Sequence, residues 1–107
     1  MSIIETFRNL ERNGFVRLRA EEEQESYFDV FGNPDSPEER QEIMDRLNLH
    51  GCWCVFSEFL GDDGRWHHAD SIGMCAGYQN VLDPEENDYV CDLMASAVNA
   101  LEMQMCI

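Results

Sequence analysis

Residues 52–60 carry Trp53, Val55, Phe56 and Phe59, residues 65–72 carry Trp66 and Ile72, and Gly61, Asp62, Asp63 and Gly64 lie between the two runs. Two aspartates between two glycines supply the backbone freedom of a tight turn, so the segment has the build of a β-hairpin. This hairpin constrains the fold more than any other feature, because two strands alone are marginal in water and must find cover for one face. With Leu60 opposite Arg65, Phe59 faces Trp66 and Trp53 faces Ile72. One side of the hairpin is then an aromatic layer that needs a helix against it.

The cover lies near the C-terminal end. Asp83, Pro84 and Glu86 combine an N-cap, a first-position proline and a capping-box acid. Val90, Met94, Ala97, Leu101 and Met105 follow as an apolar stripe at helical spacing, which predicts a helix over 84–104 on the hairpin. At the other end, Ser2 and Glu5 make a capping box, and Ile3, Phe7 and Leu10 give a helix over 3–13, stopped by Gly14. Val16, Leu18 and Ala20 alternate with Arg17 and Arg19, as in a half-buried strand over 15–20. Residues 21–31 read as a helix ended by Gly32, Asn33 and Pro34. Ser36, Pro37 and Glu39 open another, with Ile43, Met44 and Leu47 as its apolar face and an end near Asn48. Residues 73–82 read as a connecting loop. The chain is therefore expected to be one α+β domain over 1–107. A small antiparallel sheet centred on the hairpin packs against a long C-terminal helix and two or more shorter helices.

Charge narrows the function. Against 22 Asp and Glu stand seven basic residues, all Arg, for a formal charge of −15. Such a field repels nucleic acid and anionic membranes, and its natural partner is a basic protein surface. Four of the arginines fall within residues 1–19, and no Arg or Lys follows Arg65. No run approaches the roughly 20 apolar residues of a membrane span, and the N-terminus lacks a basic region followed by an apolar core. Five cysteines form no paired framework. A cytoplasmic protein with reduced, metal-free thiols is expected.

Cys52, Cys54, His67, His68 and Cys75 are residue types that zinc prefers, and a small metal-binding or catalytic domain built on Cys52, Cys54, His67 and His68 is the alternative reading. Their spacing argues against it. Cys52 and Cys54 sit two apart on a strand, whereas structural zinc sites draw close thiolate pairs from turns, and the hairpin register sets His67 opposite Glu58, far from Cys54. Asp62 and Asp63 are read as turn residues. The glycines lack the Lys and Ser or Thr of a phosphate loop. Neither cofactor nor metal is expected.

The carboxylates have more order. Glu38, Glu42 and Asp45 fall at i, i+4 and i+7, opposite Ile43 and Leu47, and Glu85, Asp88 and Asp92 form a similar row opposite Met94 and Leu101. Acids four residues apart on a helix stand roughly 6 Å apart along its axis, on the scale of nucleic-acid backbone charges. Two such rows would imitate a duplex and fit the basic groove of a nuclease, repressor or RNA-guided complex, as do the defence inhibitors carried by phages and plasmids. The expected function is a non-enzymatic acidic binding protein, with these six residues as its contact to a basic partner, itself a nucleic-acid-binding or defence protein.

Overall fold

The computed structural model describes residues 2–105. Its elements run α1 (Ile3–Arg12), β1 (Val16–Glu22), α2 (Tyr27–Phe31), α3 (Pro37–His50), β2 (Cys52–Leu60), β3 (Trp66–Ala76) and α4 (Tyr89–Met105). The strands form an antiparallel sheet in the order β1-β2-β3. Helices α1 and α4 pack on each other and on one sheet face, giving the expected α+β architecture.

Local chemistry sets most of these elements. Ser2 Oγ accepts the Glu5 backbone N–H at 3.2 Å and Ser36 Oγ accepts that of Glu39 at 3.3 Å, so both helices start on a side-chain cap. Gly51, at φ +77°, ends α3, and its N–H returns to the Leu47 carbonyl. In the β1–β2 ladder Val16, Leu18 and Ala20 pair with Phe59, Ser57 and Val55 and face the helices, while Arg17 and Arg19 pair with Glu58 and Phe56 on the opposite side. The core holds Phe7 from α1, Val16 from β1, Val55 from β2, and Val90, Leu93, Met94, Ala97, Val98 and Leu101 from α4.

Four expectations need correction. Leu60 pairs with Trp66 rather than Arg65, because Gly64 takes φ +76° after Asp62 and Asp63 and the loop closes through the Gly61 N–H to the Arg65 carbonyl. A three-residue loop with its last residue left-handed is a common hairpin closure. That shift of one residue turns Trp66 to the open face of the sheet, away from α4, whereas Trp53, Phe59 and Ile72 do pack on the core. Further along, residues 73–76, expected in a loop, continue β3 after an irregularity at Gly73 and Met74. Met74 holds φ +56° while its N–H donates to the Glu23 carboxylate at 3.1 Å. Glu21 and Glu22, expected in a helix, extend β1.

The last correction concerns α4, which starts at Tyr89 and not at residue 84. Asp83 does accept from the Glu85 N–H at 2.9 Å, but Glu86 turns to the backbone N–H groups of Gln79 and Asn80. The acid that would have closed a capping box instead pins the preceding loop, and residues 84–86 form a turn.

The described residues extend over 55 × 26 × 17 Å, with a radius of gyration of 16.4 Å, against about 13 Å for a compact chain of this length. The excess comes from residues 27–50. Helices α2 and α3 form an arm that contributes no buried residue and meets the body mainly at the end of β3. Tyr27, Phe28 and Phe31 cluster on α2, and Arg40 of α3 stacks over the Phe28 ring at 4.6 Å. Trp53 Nε1 donates to the His50 carbonyl at 2.8 Å and ties the far end of α3 to the sheet.

Candidate docking surface

The arm places one of the two carboxylate rows as the spacing implies. Glu38, Glu42 and Asp45 are all exposed along α3, opposite the half-buried Ile43 and Leu47. Glu38 accepts from Ser36 Oγ at 2.8 Å, which holds its carboxyl below the ordinary carboxylate range, and Asp45 accepts from Gln41 Nε2 at 2.8 Å. The second row is not helical. Glu85 and Asp88 belong to the turns before α4, and Asp92 alone of the three lies on the helix, although all three side chains are exposed.

Arg8, Arg12, Arg17, Arg19 and Arg40 make contacts inside the molecule. On the open sheet face the Arg17 guanidinium lies 4.2 Å from the Trp66 ring and that of Arg19 lies 4.5 Å from Phe56. Both donate to one carboxylate, Glu58, at 2.8 and 3.2 Å. Burial pushes the Glu58 carboxyl up, but the two guanidinium groups outweigh it and hold the group below its ordinary value. The arginines thus cover aromatic rings that no helix covers, and cation–π stacking stabilises them there. Elsewhere Arg8 pairs with Glu11, and Arg12 with the Asn9 side chain. Among the described residues, Glu11, Glu21, Glu58 and Asp63 are the carboxylates within ion-pair distance of an Arg or His. Most of the other described carboxylates are exposed and lie beyond ion-pair distance of any Arg or His among the described residues. The alternation of Arg17 and Arg19 shows in the sequence; their convergence on Glu58 depends on cross-strand register and does not.

The thiols and imidazoles do not converge. His67 pairs with Phe59 across the ladder and stacks on its ring, and its Nε2 lies 2.9 Å from Asp63, while His68 is the residue opposite Glu58. Five steps along β2 separate Cys54 from the Phe59 row, about 17 Å of strand. Cys54 donates its thiol to the Glu23 carboxylate at 2.8 Å, and that bond, with burial, pushes its pKa up to about 11. Burial also raises Cys52 and Cys75. Protonated thiols are poor nucleophiles and poor metal ligands. No group of three His, Cys, Asp or Glu among the described residues is arranged to hold a metal ion.

Asp62 and Asp63 occupy the hairpin turn, where Asp63 accepts the Arg65 N–H at 3.0 Å. A β-carbon at Gly61 would stand 2.4 Å from the His67 ring, so a larger residue there would displace that side chain. Three surface clefts of about 120, 260 and 230 Å³ fall short of the roughly 300 Å³ at which small-molecule sites begin. No helix among the described residues is long and apolar enough to cross a membrane. Compared with protein families, with characterised proteins and with solved structures, the chain matches none.

Proposed function

We propose that this is a non-enzymatic acidic binding protein that docks on a basic protein surface, one of the kind that holds nucleic acid, and so inhibits a nucleic-acid-binding or defence protein by mimicry of charge. One observation carries the reading: most of the arginines are engaged in internal contacts, while most described carboxylates, Glu38, Glu42 and Asp45 among them, are exposed and lie beyond ion-pair distance of any Arg or His among the described residues. What reaches a partner at a distance is therefore negative charge, which steers encounter and selects partners of opposite sign. The raised thiol pKa values and the small clefts support binding over catalysis.

The test is capture of basic proteins by the immobilised chain across a salt gradient, beside the variant Glu42→Lys/Asp45→Lys, which leaves the Glu38 contact at the helix start in place. The native chain should release its partner by roughly 0.5 M salt. The variant should bind more slowly and with a flatter salt dependence, its fold unchanged by circular dichroism. Equal binding and equal salt slopes would assign these acids to solubility alone.

A further inference from the structure

We infer that the arm docks on a basic amphipathic helix of the partner, with Glu38, Glu42, Asp45 and Leu49 of α3 as its contact stripe. The inference rests on the docking role proposed above and specifies the surface and the chemistry that fits it. At 100° per residue, these four positions fall within about 60° of one another and span about 17 Å of helix. Leu49 therefore closes the acid row instead of belonging to the half-buried face of Ile43 and Leu47. The spacing of four, three and four residues is the spacing that keeps one stripe against a second helix along its length.

A lone exposed leucine is ordinary on a protein surface. Leu49 differs through its place. It is 76% exposed, it stands in register with three carboxylates, and its helix buries no side chain of its own in the body. The apolar surface left open on the arm also includes Val30 and Phe31 of α2, the latter 60% exposed. None of the α3 carboxylates has an Arg or His within ion-pair distance among the described residues. Charge complementarity thus calls for Lys or Arg on the partner, and Leu49 calls for an apolar residue at one end of the same contact. A helix whose apolar stripe is flanked by basic residues presents both, in the manner of helix-in-groove and coiled-coil recognition.

The probe is a synthetic Leu/Lys peptide of about 18 residues patterned as an amphipathic helix, with a scrambled peptide of identical composition as its control. Binding to the full chain is read by fluorescence anisotropy at about 0.05 and 0.3 M salt. The patterned peptide should bind at least about tenfold tighter than the scrambled one. Leu49→Ser should weaken it about fivefold and leave the salt slope alone, whereas Glu42→Gln/Asp45→Asn should reduce both affinity and slope. If the acid variant weakens binding but Leu49→Ser does not, or if the two peptides bind alike, the amphipathic-helix inference falls and the acidic docking role survives. If neither variant changes binding, both fall. All three substituted residues are exposed, and circular dichroism of each variant confirms that loss of binding is not loss of fold.

Discussion

Helices α3 and α4 are both long for a domain of this size, with 14 and 17 residues, yet they are held by different forces. Six residues of α4 are buried against the sheet and α1. Helix α3 buries none, and its integrity comes from its ends. Ser36 and Pro37 fix its start, Glu38 and Glu39 complement the positive end of its dipole, and Gly51 and the Trp53 bond to His50 fix its finish. The comparison separates two requirements that one helix could not meet together. A face in the core must be apolar, while a helix free of the core can carry charge along its length without burying it. The body supplies stability and the arm supplies surface.

Truncation in each region tests this division most strongly. Met94→Ala removes a fully buried side chain between α4 and the sheet and should cost about 3 kcal/mol. Leu47→Ala, on the half-buried face of α3, should cost less than about 1 kcal/mol in global stability. Urea denaturation followed by far-UV circular dichroism measures both. Similar losses would mean that the arm folds as part of the core.

A second test bears on the two faces of the body. Trp66 lies on the open face beneath Arg17, so Trp66→Ala should cost about 2 kcal/mol, from partial burial and the lost cation–π contact. Trp53 and Phe59, one strand away, face the helices. A loss of about 4 kcal/mol at Trp66 would place it in the core after all, as its register with Leu60 opposite Arg65 would require.

That register marks where the sequence ceased to be legible. The capping serines, the alternation of β1 and the apolar stripe of α4 all act within a few residues, and the structure uses them as the pattern implies, except that Met105 at the end of the stripe is exposed. The hairpin also forms, but the choice between a four-residue connection and the observed one turns on the left-handed Gly64, and Trp66, His67 and His68 change face with that choice, whereas an irregularity opposite Ser57 and Glu58 returns Ile72 to the expected face. The irregularity at Met74 depends on Glu23, about fifty residues away in the chain, and no local signal announces it. Asp83, Pro84 and Glu86 carry a strong helix-start signature, yet Glu86 is taken by Gln79 and Asn80. At the candidate site the row on α3 could be read because its helix is set locally. The row at Glu85, Asp88 and Asp92 failed with the helix boundary it presumed.

The smallest effect is expected at Glu58, and it distinguishes the charge on the sheet from the charge on the arm. Glu58→Gln keeps the shape of the side chain and removes the charge that Arg17 and Arg19 share, at a cost of about 1 kcal/mol near neutral pH because both arginines remain partly exposed. The folded-state pKa of Glu58 lies below its ordinary 4.5, so its contribution is fully present above that value and is lost as the pH falls through the folded value. The stability gap between native chain and variant should therefore be constant from neutral pH down to about 5 and should close below 4.5. The carboxylates of the arm are the same in both proteins, so their contribution cancels from the difference. A gap that persists undiminished to about pH 2.5 would show that shape and packing, not the shared ion pair, hold the arginines over Trp66 and Phe56. The open face would then owe its cover to the rings themselves, and Glu58 would join the acids whose charge is directed outward.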